Sequence, residues 1–170
     1  MVGMALIIED GTVIAGANSF ATVEEARAYT EARGVELPLD DAEVEHALVK
    51  AGDYLISYEQ KLKGQRVQQA QTMVYPRFGV ILYDTQFPST GIPQQLKDAQ
   101  IELATYAADG VVLRPVGAGR ETRREEVGPI KLEYFEGGRS SIDPVFNAAN
   151  DILKPLLSSA GGNFFPVYRA

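Results

Sequence analysis

The chain has no cysteine, an absence that removes disulfides, thiolate metal sites and cysteine nucleophiles together and suits a reducing compartment. Long hydrophobic runs are missing too. Nothing approaches the roughly 20 apolar residues that cross a bilayer, and the opening MVGMALIIEDG puts acids where a secretory leader carries bases. A cytosolic product with no membrane partner is the expectation. Positive charge is scarce, 16 Lys and Arg against 23 Asp and Glu, and the net charge of -7 speaks against non-specific coating of duplex DNA, which needs clustered cations on phosphates. There is one histidine, His46.

What is present builds one compact domain. With 170 residues, 45% hydrophobic and 23% charged, the chain has enough apolar material for one core and too little length for two. Charge is unevenly spread: residues 1–60 hold 12 acids and 3 bases, net -9, whereas residues 61–170 hold 11 acids and 13 bases, net +2. Such a protomer can stack in a ring or against a partner of opposite sign; a solvated acidic helix face accounts for the pattern equally.

Periodicity and punctuation predict a mainly α fold: a small four-helix bundle with a short β-hairpin and extended N- and C-terminal arms. Short apolar runs around Asp10-Gly11 predict a small N-terminal hairpin or arm. Thr22 with Glu25 forms a capping-box pattern opening a first helix, which Gly34 closes. Asp40 caps a second, whose stripe Val44, Ala47, Leu48, Ala51, Leu55, Tyr58 and Leu62 extends it to Lys61 or Lys63. The Gln-rich stretch and Met73–Gly79 read as a loop with aromatic anchors, and residues 80–92 as irregular. Pro93 opens a third helix carrying Leu96, Ala99, Leu103, Tyr106 and Ala107, with Gly110 as its stop. Residues 111–119 read as a flexible connection. Alternation around Gly128-Pro129 predicts a hairpin at about 120–136. Asp143-Pro144 caps a fourth helix that Pro155 must kink or end. The domain then spans residues 1–157, and residues 158–170 form an extended C-terminal docking tail.

No constellation of reactive groups emerges, so the chain is expected to be no enzyme and to need no cofactor or metal. His46 stands beside Glu43 and Glu45 without a nucleophile and reads as solvated or structural. Asp40, Asp41, Glu43 and Glu45 lack the calcium-loop spacing and instead complement a helix dipole. Gly117-Ala118-Gly119 is a G-x-G fragment without the third glycine or following helix of a phosphate cradle. Arg114, Arg120, Arg123 and Arg124 form the one basic cluster, interleaved with Glu121, Glu125 and Glu126; it can be a salt-bridged ribbon, a subunit contact or a nucleic-acid contact. Phe164, Phe165 and Tyr168 on the tail suit anchoring in a partner's pocket or packing back on the domain.

Several segments, taken in order, resemble a tailed-phage family encoded beside portal and capsid genes. They are Glu9–Thr12 with Ala17–Phe20, Glu24–Tyr29 with Arg33-Gly34, Ala51–Leu55, Gln71–Gly79, Ile92-Pro93 with Leu96-Lys97 and Glu102–Ala104, and Glu126–Pro129 before Glu133-Tyr134. The family carries the label DnaT-like single-stranded DNA-binding protein and is similar to head-tail adaptor, or head-completion, connectors. The resemblance implies a virion structural protein of the head-tail neck, made in the bacterial host cytoplasm: a homo-oligomer, dodecameric like the portal above it, that extends the DNA channel and gives the tail a platform. Its implied partners are the portal, a tail-side connector or tail terminator, and genome DNA passing without sequence-specific binding. Phe164, Phe165 and Tyr168 would then be the portal anchors. Tyr75 stands where the family usually has tryptophan before Pro-Arg, keeping the aromatic plug. A single-stranded DNA-binding replication accessory is the alternative function.

Overall fold

The structure is a computed structural model that describes residues 5–114, the strands at 125–127 and 130–132, and residues 146–158. Among the described residues four helices make its frame: α1 (Val23–Glu31), α2 (Asp41–Ile56), α3 (Gln94–Ala108) and α4 (Asn147–Leu153). Helix α3 lies centrally, against α2, α4 and α1. Their facing stripes, with Val44, Leu48 and Leu55 from α2 and Leu96, Ile101 and Leu103 from α3, are buried together with Phe20, Met73, Tyr75, Leu153 and Leu156. At roughly 1.5–3 kcal/mol per fully buried large apolar side chain, this cluster is the main source of stability.

The first helix begins as its sequence dictates. Thr22 accepts from the Glu25 N–H while Glu25 reaches back to the Thr22 N–H, so two backbone donors are satisfied reciprocally. Asp40 caps α2 by accepting from Ala42, and Gly34 and Gly110 take positive φ after α1 and α3, where a side chain would be strained.

The N-terminal segment takes the arm form of the two expected; Ile8 bridges Ser19 in parallel, the Ile7 carbonyl accepts from the Asn18 and Ser19 N–H groups, the Glu9 N–H donates to the Ser19 carbonyl, and the segment folds around Glu9. Several other expectations are corrected. Helix α2 stops at Ile56, before Lys61. Ser57 Oγ donates to the Tyr54 carbonyl, a 3-10 turn covers Glu59–Lys61, and Leu62 pairs with Leu157, a contact remote in sequence that outweighs the continuing apolar period. Residues 65–86, expected as loop and irregular chain, hold two antiparallel pairs: β1 (Gln65–Arg66) with β2 (Arg77–Phe78), and β3 (Ile81–Leu82) with β4 (Thr85–Gln86). Pro93 is the N-cap of α3 and lies outside its first turn.

The predicted hairpin near Gly128-Pro129 is present as β5 (Glu125–Val127) and β6 (Ile130–Leu132), antiparallel. Helix α4 starts at Asn147 with Phe146 as N-cap, later than Asp143-Pro144 implied; those two residues lie outside the described set. Phe146 seats against Tyr54 and Tyr106, with ring centroids 5.4 and 5.2 Å away. Pro155 ends the helix as expected, within a 3-10 turn over Lys154–Leu156. No described helix is long and apolar enough to cross a membrane.

Candidate interaction surface

The segment after α2 is built around side chains that bond to backbone. Arg77, buried, donates from Nε to the Lys63 carbonyl at 2.8 Å and from its terminal nitrogens to Gly64 at 2.7 Å and Val74 at 3.3 Å. Gln71, also buried, donates to the carbonyls of Met73 and Pro76 and accepts from the Gln68 N–H. Arg66 grips both carboxylate oxygens of Glu59 and donates to the Gln71 carbonyl. That bond from Arg66 holds the Glu59 carboxyl below its ordinary value, and burial lowers the Arg77 guanidinium. Tyr75 fills the middle, wholly buried; its hydroxyl has no hydrogen-bond partner among the described residues.

This scaffold presents an apolar face. Alternation along Val80–Tyr83 turns Val80 and Leu82 inward and leaves Ile81 and Tyr83 exposed beside Phe78. Tyr83 and Asp84 make the tight β3–β4 turn with φ of 50° and 61°. Tyr83 is 73% exposed, its ring placed by a 3.2 Å hydrogen bond from Gln95 to its hydroxyl. Lys63 lies alongside, its Nζ donating to the Ile81 carbonyl. Residues 58–86 contain Lys61, Lys63, Arg66 and Arg77 against Glu59 and Asp84, a locally positive composition in an acidic chain.

The opposite composition marks the α1–α2 connection. Residues 31–45 carry Glu31, Glu36, Asp40, Asp41, Glu43 and Glu45 against Arg33 alone. Here Leu39 is 96% exposed and Val35 is exposed as well. A groove of about 420 Å³ runs between the end of α1 and this connection, lined by Thr30, Glu31, Gly34, Val35, Glu36 and Leu37. Arg27 closes one end by pairing with Asp41 at 2.6 Å and donating to the Leu39 carbonyl.

The residues singled out from sequence are placed as follows. His46 is exposed on α2, where Asp40, Asp41 and Glu43 are exposed too and Asp40 serves as cap. Arg114 is exposed, on the rim of a cavity shared with Lys50, Asp53 and Val111–Leu113. Arg120, Arg123, Arg124 and the tail anchors Phe164, Phe165 and Tyr168 lie outside the described residues, as does Gly117–Gly119. Sequence reasoning missed the face of Phe78, Ile81 and Tyr83. Its signal was the alternation through Val80–Tyr83, hidden because the turn dipeptide Tyr83-Asp84 lacks glycine.

The described residues 5–114 and 146–158 contain 17 acids and 10 bases. Eight of those bases are already engaged. Arg27, Arg66, Lys97 and Lys154 pair with Asp41, Glu59, Glu25 and Asp151. Arg77 and Lys63 donate to backbone carbonyls, Arg33 covers the Tyr29 ring, and Lys61 sits over Tyr58. Most of this positive charge is held by the chain's own acids, carbonyls and rings; the carbonyl and ring contacts of Lys63 and Lys61 leave their charges uncancelled.

A family model described as "Putative DnaT-like ssDNA binding protein" matches residues 4–170. No curated protein and no solved structure matches the chain.

Proposed function

The chain belongs to the DnaT-like ssDNA binding protein family; from the order of its sequence segments and the use of its cations, and not from that family's description, we propose a non-enzymatic structural subunit, the ring-forming head-tail adaptor that the sequence resembles. In this reading copies of the chain close a collar beneath a portal, extend the DNA channel and offer the tail a platform. Catalysis plays no part. The observation that carries the reading is the use of cations: eight of ten described Lys and Arg side chains serve the fold or its own acids, so the body is suited to letting DNA pass and poorly suited to gripping it. Phe164, Phe165 and Tyr168 would act as portal anchors, and Arg114, Arg120, Arg123 and Arg124 as contacts between subunits or with DNA.

The family description itself favours a second reading, binding of single-stranded DNA, and does not speak of a virion. Exposed Phe78 and Tyr83, with Lys63 on the Ile81 carbonyl between them in sequence, supply the stacking rings and a local cation such binding uses. Two measurements separate the readings. Titration of the full chain with a labelled oligonucleotide at near-physiological salt is expected to give no saturable binding, while co-sedimentation with a purified portal ring gives a defined complex. Tight, salt-dependent oligonucleotide binding without portal association would replace the adaptor reading with the second.

A further inference from the structure

Six of the nine exposed large apolar side chains among the described residues fall in two places: Val67, Phe78, Ile81 and Tyr83 in the β1–β4 segment, and Val35 and Leu39 in the α1–α2 connection, with Ile7, Val111 and Val112 elsewhere. The first set has Lys63 beside it, its Nζ on the Ile81 carbonyl. The second lies among acids, with Glu31 and Glu36 lining the groove and the charge of Arg27, also on it, paired with Asp41. An exposed apolar patch with a charged rim is the ordinary form of a protein contact.

The two patches are reached along the chain from opposite ends of α2, and Tyr83 is held by Gln95 in the first turn of α3. The acidic connection leads into Asp41, and the chain reaches Lys61 and Lys63 only after Ile56. Sixteen residues of helix at 1.5 Å each separate the ends by about 24 Å. Neither Lys63 nor Glu36 forms an ion pair among the described residues, so the attraction between the two patches is open to another molecule.

We propose that the Tyr83 turn of one copy seats in the groove beside Val35 of a second copy, with Lys63 of the first facing Glu36 of the second. The contact is head-to-tail, because each copy offers the turn at one end and the groove at the other. A repeated contact of this kind closes into a ring or runs on as a filament. Charge complementarity sets the pairing, since turn against turn or groove against groove brings like charges together. The inference rests on the adaptor reading and adds the surfaces through which copies would meet.

The test uses the full chain and two surface variants, Tyr83→Asp and Val35→Lys, each placing a like charge on the patch it meets. Asp suits the positive φ at position 83. Circular dichroism and melting temperature check that both fold as the wild type does. In sedimentation velocity over a range reaching the millimolar, the wild type is expected to associate beyond a dimer, and each variant alone to remain monomeric. An equal mixture of the variants still holds one intact turn and one intact groove. It is expected to stop at a one-to-one heterodimer.

Variants that associate like the wild type would overturn this pairing while leaving assembly, and so the adaptor reading, in place. A mixture that stays monomeric would overturn the head-to-tail geometry. A wild type monomeric throughout would remove this pairing, and the adaptor reading falls with it only if the chain also fails to join a portal ring. Oligonucleotide binding abolished by Tyr83→Asp would assign the turn to DNA and overturn the proposal.

Discussion

Gln100, in the middle of α3, accepts the Phe20 N–H at 2.8 Å through Oε1 while wholly buried. Its Nε2 donates to Ser19 Oγ at 2.9 Å and to the Leu48 carbonyl at 2.8 Å. One amide thus joins the N-terminal arm and α2 to the central helix, each polar atom satisfied in an apolar setting. Replacing Gln100 with Leu leaves the buried Phe20 N–H unpaired, an orphan that costs about 1–3 kcal/mol, while the Leu48 carbonyl keeps its helical bond from Gly52. Urea unfolding of Gln100→Leu is expected to show a loss of roughly 1–3 kcal/mol despite the added apolar surface. An unchanged midpoint would mean that water or a rearranged backbone satisfies that N–H.

Glu9 organises the arm in the same way. Its carboxylate, fully buried, accepts from the N–H groups of Gly11, Val13 and Ile14, all at 2.9 Å. Gly11 cannot be replaced freely, since a Cβ there would come within 2.0 Å of the Thr90 carbonyl oxygen. Glu9→Gln changes one acceptor into a donor facing an N–H. The expected loss is roughly 1.5–3 kcal/mol, the usual worth of hydrogen bonds to a charged group. Hydrogen exchange at Val13 and Ile14 should accelerate in this variant, and unaltered exchange would show that the arm is held by other contacts.

How legible this was in the sequence depends on the range of the forces involved. Thr22 with Glu25 and Asp40 before α2 were readable because a cap is satisfied within four residues of itself. The stripe from Val44 to Leu62 was also right as a statement of burial: Val44, Leu48, Leu55 and Leu62 are buried and Tyr58 partly so. It misled on where the helix ends, because Leu62 is inside through pairing with Leu157 and Tyr58 through a 2.6 Å bond to Asn150. Both partners are nearly a hundred residues away. The β-pairs of residues 65–86 were hidden for a similar reason, each strand being two residues long and held by Arg77, Gln71 and Lys63 bonding to backbone. Of the candidate site, sequence gave the unlike charges of the two ends and missed the apolar residues at their centres.

Acid should weaken the Glu59–Arg66 clamp. The Glu59 carboxyl, held low chiefly by its hydrogen bonds from Arg66, has a lower value folded than the ordinary 4.5 it regains when unfolded. The stabilisation is therefore complete above 4.5 and disappears as pH falls through the depressed folded value. Because the pair is partly exposed, its worth at neutral pH is on the order of 1 kcal/mol or less. Glu59→Gln is expected to melt a few degrees below the wild type near neutrality, the difference shrinking as pH drops below 4.5. A difference that stays constant across that window would assign the effect to packing.

Tyr75 gives the opposite dependence. Burial pushes its phenol from 10.0 up to about 12, against the opposing influence of Arg77. The folded state keeps the neutral phenol while the unfolded chain ionises it. Stability from this residue is thus fully present below pH 10 and is lost as pH rises from 10 to about 12. The displacement corresponds to roughly 3 kcal/mol. Tyr75→Phe retains the ring and removes both the ionisation and a buried hydroxyl with no partner among the described residues. At neutral pH the variant is expected to equal the wild type or exceed it by about 1 kcal/mol, since an unsatisfied buried group carries a desolvation cost. The gap should then widen steadily above pH 10, as read from denaturant midpoints of the two proteins in matched buffers. If Tyr75→Phe instead unfolds more easily at neutral pH by over about 1 kcal/mol, the hydroxyl is hydrogen-bonded and its position in the core is polar by design.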